Sequence, residues 1–393
     1  MNRPLDGVRV IDMSEVVQGP LAAQVLSDYG ATVIKVERGD GDLMRRLDRE
    51  ANDAGQVCAY FAAVNRDKRS ICLNVKSPEG MRILRELIRD ADVLIHSYRP
   101  EGIRRLGLSY EQISDEYPRL VYGSASGWGE AGPLAHKAGQ DMLAQALSGL
   151  AHAVADPDMD YHFNPTATVD YASGMSLAQG ILAALIDRHK TGLGQHVSVN
   201  LLDTAVAQQT LEAASILMYG RELNWVTQWY SGVFETLDGT VFVSGLFRDN
   251  ALQLVCQVLN LEDLSQRPEF STTALQAANK KLANTLLEGP IRKLTTEAVS
   301  MSFDSVDLLS VPLLALKDAL AHPQVLFNDK LVTVMIEGQP DAEVVGLPID
   351  MSRAPRPRNY RVCHPGEHTD ELLAELGYDG AATAVLRGSG VVK

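Results

Sequence analysis

Cysteine is scarce in this chain: Cys58, Cys72, Cys256 and Cys363 are scattered through 393 residues. With no CxxC and no Cys/His ligand spacing, the sequence argues against a disulfide scaffold or a zinc site and predicts a reduced, intracellular protein without bound metal. Positive charge is also short, with 36 Lys and Arg against 50 Asp and Glu and a net charge of −14. That deficit opposes broad contact with nucleic acid or an anionic membrane surface, although local cationic clusters can still hold a small anion. No run approaches the roughly 18 apolar residues of a membrane span. The opening MNRPLDGVRVIDM has no apolar signal stretch, so a cytoplasmic location is expected. The first strand is not followed by GxGxxG, only by Gly19 in SEVVQGP, which opposes a nicotinamide-dependent oxidoreductase. Walker A, HExxH and GxSxG are absent as well.

What is present is an alternation of short apolar runs and helical spacing. Hydrophobic residues make up 46% and charged residues 22%, enough to build a sizeable core, and the length suits two domains or one with an insert. GVRVIDM (7–13), TVIKVE (32–37), SICLNV (70–75), DVLIHS (92–97), RLVYGSAS (119–126) and HVSVN (196–200) read as buried strands. VVQGPLAAQVLSDYGA has helical spacing and stops at Gly30. SPEGMRILRELIRDA is a second helix with Ser77 as N-cap and Pro78 in its first turn. A long helix follows Asp170, and LLDTAVAQQTLEAASILMYG predicts another ending at Gly220. This alternation implies a mostly parallel, doubly wound α/β sheet. VFETLDGTVFVSG predicts a hairpin across Asp238-Gly239, residues 241–330 a helix-rich region, and the tail a Pro- and Arg-rich stretch before a final helix.

Arg38, Lys76, Arg99, Arg104 and Arg105 fall near the predicted carboxyl ends of strands, where open α/β sheets bind ligands. They suit an anion with several phosphates, or they are solvated surface cations. Asp170 stands between a β-branched run and an apolar helix, where it is either a helix N-cap or a charge with a chemical task.

Several segments resemble the class III coenzyme A transferases of the CaiB/BaiF type, the family of formyl-CoA transferase, carnitine CoA-transferase and α-methylacyl-CoA racemase. They are PLDGVRVIDMSEVVQGPLAAQVLSDYGATVIKVER, NRDKRSICLNVKSPEG, GSASGWGEAGP, DYASGMSLAQGILAALIDRHKTGLGQHVSVNLLD and GEHTDELLAELGY, in order from residue 4 to about 380. The resemblance implies a Rossmann-like large domain from 1–220 plus 330–393 and a smaller α+β domain at 225–330. Linkers are expected around 221–235 and 325–335. It also implies an interlocked homodimer.

By the same resemblance, Asp170 is the nucleophile that carries CoA from an acyl-CoA to a second carboxylic acid through anhydride and thioester intermediates. Gln140 would orient the acyl group, and Gly245 in VSGLFRDN would belong to the active-site glycine loop. Val16, Val17, Gln18, Arg38, Leu73, Asn74, Lys76, Arg99, Arg104, Arg105 and Lys137 would surround the CoA nucleotide. Arg105 matches the family's nucleotide-contacting arginine better than Arg104. CoA is then a substrate, with no tightly bound cofactor. The racemase branch has a histidine where this chain has Gln140, which cannot shuttle a proton; His136, four residues earlier, is out of register. A racemase-type isomerase and a non-catalytic acyl-CoA binder remain the alternatives. NWVTQWYSGVF (224–234) is either acyl pocket or core of the smaller domain.

Overall fold

The computed structural model describes residues 3–153, 161–225, 229–354 and 357–393. It divides into two compact units. The first comprises Met1–Ala151, Phe163–Gln208 and Lys330–Lys393; the second comprises Gln209–Asp329 with the described residues of His152–His162.

The first unit is built on a six-stranded parallel sheet: β1 (Arg9–Met13), β2 (Thr32–Glu37), β3 (Arg69–Cys72), β4 (Val93–His96), β5 (Val121–Ser126) and β6 (His196–Asn200). Its order is β3-β2-β1-β4-β5-β6, the doubly wound arrangement of dinucleotide-binding sheets. The strands are apolar on both faces because helices cover both. On one face Ile11, Ile34, Ile71, Leu94 and Tyr122 meet Ile83, Leu84, Leu87 and Ile88 of the Pro78–Arg89 helix, together with Leu372, Leu373 and Leu386. On the other, Val10, Val33, Val93, Ile95 and Val121 meet helix α1 (Gln18–Asp28) and the 24-residue helix Thr168–Thr191 through Ala22, Val25, Leu26, Leu177, Ala178 and Ile181. These two helices approach closely at Gly174. A Cβ there would lie 2.7 Å from the Gln18 carbonyl oxygen.

Three expectations need amendment. The Thr168–Thr191 helix does reach the length and hydropathy of a membrane span, with a mean hydropathy of 1.3; here it is a core helix whose Val169, Leu177, Ile181 and Leu185 are buried. The stretch read as one helix over 201–220 is two, Leu201–Ala207 and Thr210–Tyr219. The chain passes from one unit to the other at this break, and no glycine or proline marks it. The tail holds more structure than a final helix: β10 (Leu331–Ile336) pairs antiparallel with β11 (Ala342–Val345) and parallel with β12 (Asn359–Val362). This small sheet buries Val332, Val334, Tyr360 and Val362 against Met44 and Phe61. Two helices follow, Thr369–Glu375 and Gly380–Gly388.

In the second unit β7 (Ser231–Glu235) and β8 (Thr240–Ser244) form the hairpin around Asp238-Gly239, and β9 (Leu309–Pro312) adds a third antiparallel strand. Tyr230, Phe234, Val241, Val243, Leu252, Phe270, Leu287 and Phe303 form its own core.

Candidate active site

β1 and β4 are neighbours in the sheet although their connections leave in opposite directions, so a crevice opens beyond their carboxyl ends. It is a cleft of about 500 Å³ walled by the loop after β1 (Glu15, Val16, Val17, Gln18) and the loop after β4 (Ser97, Tyr98, Arg99). Gly127–Gly129, Lys137–Gln140, Leu201 and Asp170 also line it. The volume suits a small organic ligand.

Asp170 sits in the first turn of the Thr168–Thr191 helix and is half-buried. It does not cap that helix. The N-cap position is Ala167, which offers no side-chain bond. The cap comes from another element: Oδ2 of Asp141 accepts the N–H groups of Val169 at 2.8 Å and of Asp170 at 2.9 Å. Asp141 is itself buried and held by Gln145, whose Nε2 donates to Oδ1 at 2.6 Å. The Asp170 carboxylate is thereby left without a hydrogen bond among the described residues, at the wall of the cleft. Burial, and then the negative charge of Asp141, push its pKa from 3.8 up to about 6. Near neutral pH it is still mostly ionised, as an unpaired and poorly solvated anion.

Gln140 begins the Asp141–Leu147 helix as N-cap, in extended backbone, and makes no side-chain capping bond. It ends a loop that leaves β5 at Gly127. The loop is cinched where Gly127 and Gly139 cross: a Cβ on Gly127 would lie 2.4 Å from the Cα of Gly139. Trp128 Nε1 donates to the Ala138 carbonyl at 3.0 Å and closes the same neck. Lys137 and Gln140 are carried into the cleft by this cinch.

Two further depressions, of about 500 and 650 Å³, adjoin the cleft, and Tyr98 lines all three. Arg38, Leu73, Asn74 and Lys76 line the first of them, with Gly390 from the C-terminal segment. Lys76 and Arg105 line the second. Arg38 is exposed and paired with Glu15 at 2.8 Å; Arg105 faces Glu101 at 3.9 Å. Arg104 is exposed and lines none of the three. Val16, Val17, Gln18, Arg99, Lys137, Gln140 and Asp170 thus share one cleft, while Arg38, Leu73, Asn74, Lys76 and Arg105 lie along its neighbours. Gly245 belongs to the second unit. There its N–H bonds the Tyr230 carbonyl at 2.8 Å, and a Cβ would meet that of Ala251 at 2.4 Å. Of the 224–234 segment, residues 226–228 lie outside the described residues. Sequence reasoning missed Asp141, Glu15, Tyr98 and Trp128. Asp141 had only its place beside Gln140 as a signal, since the helix it caps starts 27 positions later.

A doubly wound sheet with a carboxylate and several cations at its switch point defines an α/β protein suited to an anionic ligand beyond the strand ends. The chain belongs to CoA-transferase family III, which it matches over residues 5–369. It is 34% identical to the succinyl-CoA:glutarate CoA-transferase of Mus musculus over 401 residues, 100% of this chain and 91% of that protein. It is 30% identical to the formyl-CoA:oxalate CoA-transferase of Escherichia coli O157:H7, covering 98% of this chain and 99% of that one. Among solved structures, a CaiB/BaiF family protein from Brucella suis superposes with a TM-score of 0.85 at 28% identity, over 96% of this chain and 100% of the other. The chain is therefore a CoA-transferase acting on CoA thioesters and carboxylic acids.

Proposed function

We propose that the protein moves CoA from an acyl-CoA to a short dicarboxylic acid, with Asp170 as covalent nucleophile. The observation that carries this reading is the Asp170 carboxylate: half-buried, without a hydrogen bond among the described residues, kept off cap duty by Asp141, and facing the cleft. A carboxylate oxygen attacks the thioester carbonyl, the C–S bond breaks, and CoA thiolate leaves behind an aspartyl mixed anhydride. The thiolate attacks the Asp170 carbonyl, releasing the first acid and giving an aspartyl-CoA thioester. The second acid's carboxylate attacks that thioester, forming a new anhydride and freeing thiolate again. Attack of thiolate on the new acyl carbon yields the new acyl-CoA and restores Asp170. No step needs a partner base, and no step passes the activated acyl group to water.

Each tetrahedral centre carries an oxyanion that needs donors. The N–H groups of Val17 and Gln18, at the unpaired first turn of α1, have no partner among the described residues and line the cleft. The Gln140 amide, without a hydrogen bond among the described residues, orients the acyl or carboxylate group. Arg38, Lys76, Arg99, Arg105 and Lys137 hold the CoA nucleotide; Lys76, Arg99 and Lys137 have no carboxylate partner among the described residues. Arg104, outside the three depressions, is left out of this assignment. Gly245 is kept as a member of the glycine loop that the family resemblance implies. A dicarboxylate acceptor rests on the relatives named for succinate, glutarate and oxalate.

We extend the proposal to a cytoplasmic, interlocked homodimer whose first unit is the CoA-binding domain and whose second is the smaller domain. The Thr210–Tyr219 helix supports an interface, since Leu217, Met218 and Tyr219 are 85%, 68% and 65% exposed, a row too apolar to leave in water. The test of the activity is a panel of acyl-CoAs and acids, read by mass spectrometry for exchanged CoA. Exchange with succinate, glutarate or oxalate is expected; acyl-CoA epimerised at its α-carbon without exchange would instead support an isomerase.

A further inference from the structure

The loop that brings Val17 and Gln18 to the cleft is strained. Val16 has φ +73°, in the left-handed region that a β-branched residue rarely enters. Glycine would hold this conformation without a steric conflict. Here something outside the loop holds it.

Two buried side chains from elsewhere do so. Asp42 Oδ1 accepts the Val16 N–H at 3.3 Å and the Met44 N–H at 2.8 Å. Lys35, from β2, donates from Nζ to the Ser14 carbonyl at 2.9 Å. The two are ion-paired, Nζ to Oδ2, at 2.9 Å, and their side chains are 1% and 0% exposed. One pair therefore grips both polarities of the loop backbone, a C=O at Ser14 and an N–H at Val16. Two further bonds fix the strand end: Glu15 N–H donates to Ser97 Oγ at 2.9 Å, and Ser14 N–H to Asp12 Oδ1 at 2.9 Å. Burial alone would raise the Asp12 carboxyl, but Lys35 and Lys68 more than offset it and hold its pKa at about 2. The charges beneath the loop balance, with Lys68 Nζ bonded to Asp12 at 2.9 Å.

We propose that the buried Lys35–Asp42 pair is a positioning device for the transfer reaction: it holds Val16 in its strained conformation so that the N–H groups of Val17 and Gln18, unpaired among the described residues, stay aimed at the acyl-CoA. A charged pair in a low-dielectric interior holds its geometry tightly, and a strained loop gripped at two points does not relax away from it. Neither residue touches substrate. The inference rests on the CoA-cleft reading above.

The test removes the pair as a pair, K35M/D42L, so that no lone charge remains buried. CoA affinity by calorimetry is expected to fall about tenfold or more, and the acyl-CoA KM to rise, while the acceptor-acid KM changes little. Adding V16G to the same background should recover affinity to within about threefold, because glycine adopts that φ unaided. A merely structural pair would lower the melting temperature without moving the acyl-CoA KM and would not be rescued at position 16. Wild-type CoA affinity in K35M/D42L, or no recovery with V16G, overturns the inference. Where K35M/D42L does not fold, amide exchange in the native enzyme decides. The Val16 N–H should exchange slowly with or without CoA, and those of Val17 and Gln18 rapidly until CoA is added. Rapid exchange at Val16, or no protection at Val17 and Gln18 with saturating CoA, overturns it. A native protein that binds no CoA at all would sink the cleft reading itself.

Discussion

Replacing Asp170 with asparagine should abolish transfer and, at neutral pH, make the protein more stable. The cause is the raised pKa, about 6 in the folded chain against an ordinary 3.8. The folded state binds this proton more tightly than the unfolded chain does. The stabilising contribution of the group is therefore full below about pH 4 and is lost as pH climbs through about 6. Above pH 7 the ionised carboxylate stands half-buried near Asp141 at a cost of at most about 3 kcal/mol, at about 1.4 kcal/mol per pKa unit. Solvent reaching the cleft brings that to roughly 1–3 kcal/mol. Asparagine keeps the shape and removes the charge. Since the carboxylate makes no hydrogen bond in the described structure, none is lost. Thermal unfolding followed by circular dichroism should give Asp170→Asn a midpoint roughly 1–4 °C above wild type at pH 7.5, and no advantage at pH 4. A variant less stable than wild type at pH 7.5, or equally shifted at both pH values, would refute the claim that Asp170 is held as a desolvated anion.

The same pKa should appear in the rate. With Asp170 as the ionised nucleophile, kcat/KM should rise with pH and level off above about 6; a flat profile from pH 5 to 8 would contradict it. Asp141→Asn should move that limb to lower pH by removing the neighbouring charge, while lowering stability by about 0.5–2 kcal/mol through the weakened cap. Steady-state rates across pH and a melting curve check both. Gly127→Ala should force open the neck of the Lys137–Gln140 loop, because its Cβ would lie 2.4 Å from Gly139 Cα. Activity should fall by more than tenfold, by the order of magnitude that misplacing a substrate-positioning group costs, with folding retained by circular dichroism; wild-type kcat/KM would sink this reading of the loop. Arg38→Ala and Arg105→Ala should each weaken CoA binding by about 1–3 kcal/mol where a charge-assisted bond is lost, and unchanged calorimetric affinity in both would remove them from the nucleotide site.

The sheet was legible because parallel strands covered on both faces read as β-branched runs, as in VRVIDM and TVIKVE, and because Ser77 and Pro78 announce their helix in the local sequence. The location of a binding crevice followed from the alternation of those elements. Asp170 was conspicuous as a lone acid at a helix start, yet its surroundings could not be read. The residue that caps its helix, Asp141, lies in another helix, and nothing local to residue 167 tells that the cap comes from elsewhere. Lys35 and Asp42 look like ordinary polar positions, one in a strand and one in a turn; only the packed structure makes them a buried pair gripping a third segment. Arg104 and Arg105 are adjacent and chemically identical, so local chemistry does not separate them; the family resemblance favoured Arg105, and the helix puts Arg105 beside Lys76 while Arg104 lines none of the three depressions. The β10–β12 sheet escaped notice because β11 and β12 are divided by the Pro- and Arg-rich stretch and hold exposed polar positions such as Glu343 and Arg361.

Covalent acylation of Asp170 during transfer is open to a direct test. Wild-type enzyme incubated with acyl-CoA and quenched with hydroxylamine should, after digestion and mass spectrometry, carry a hydroxamate at residue 170 and nowhere else, with no label in Asp170→Asn. A label on another residue, or substantial transfer by Asp170→Asn, would contradict the account.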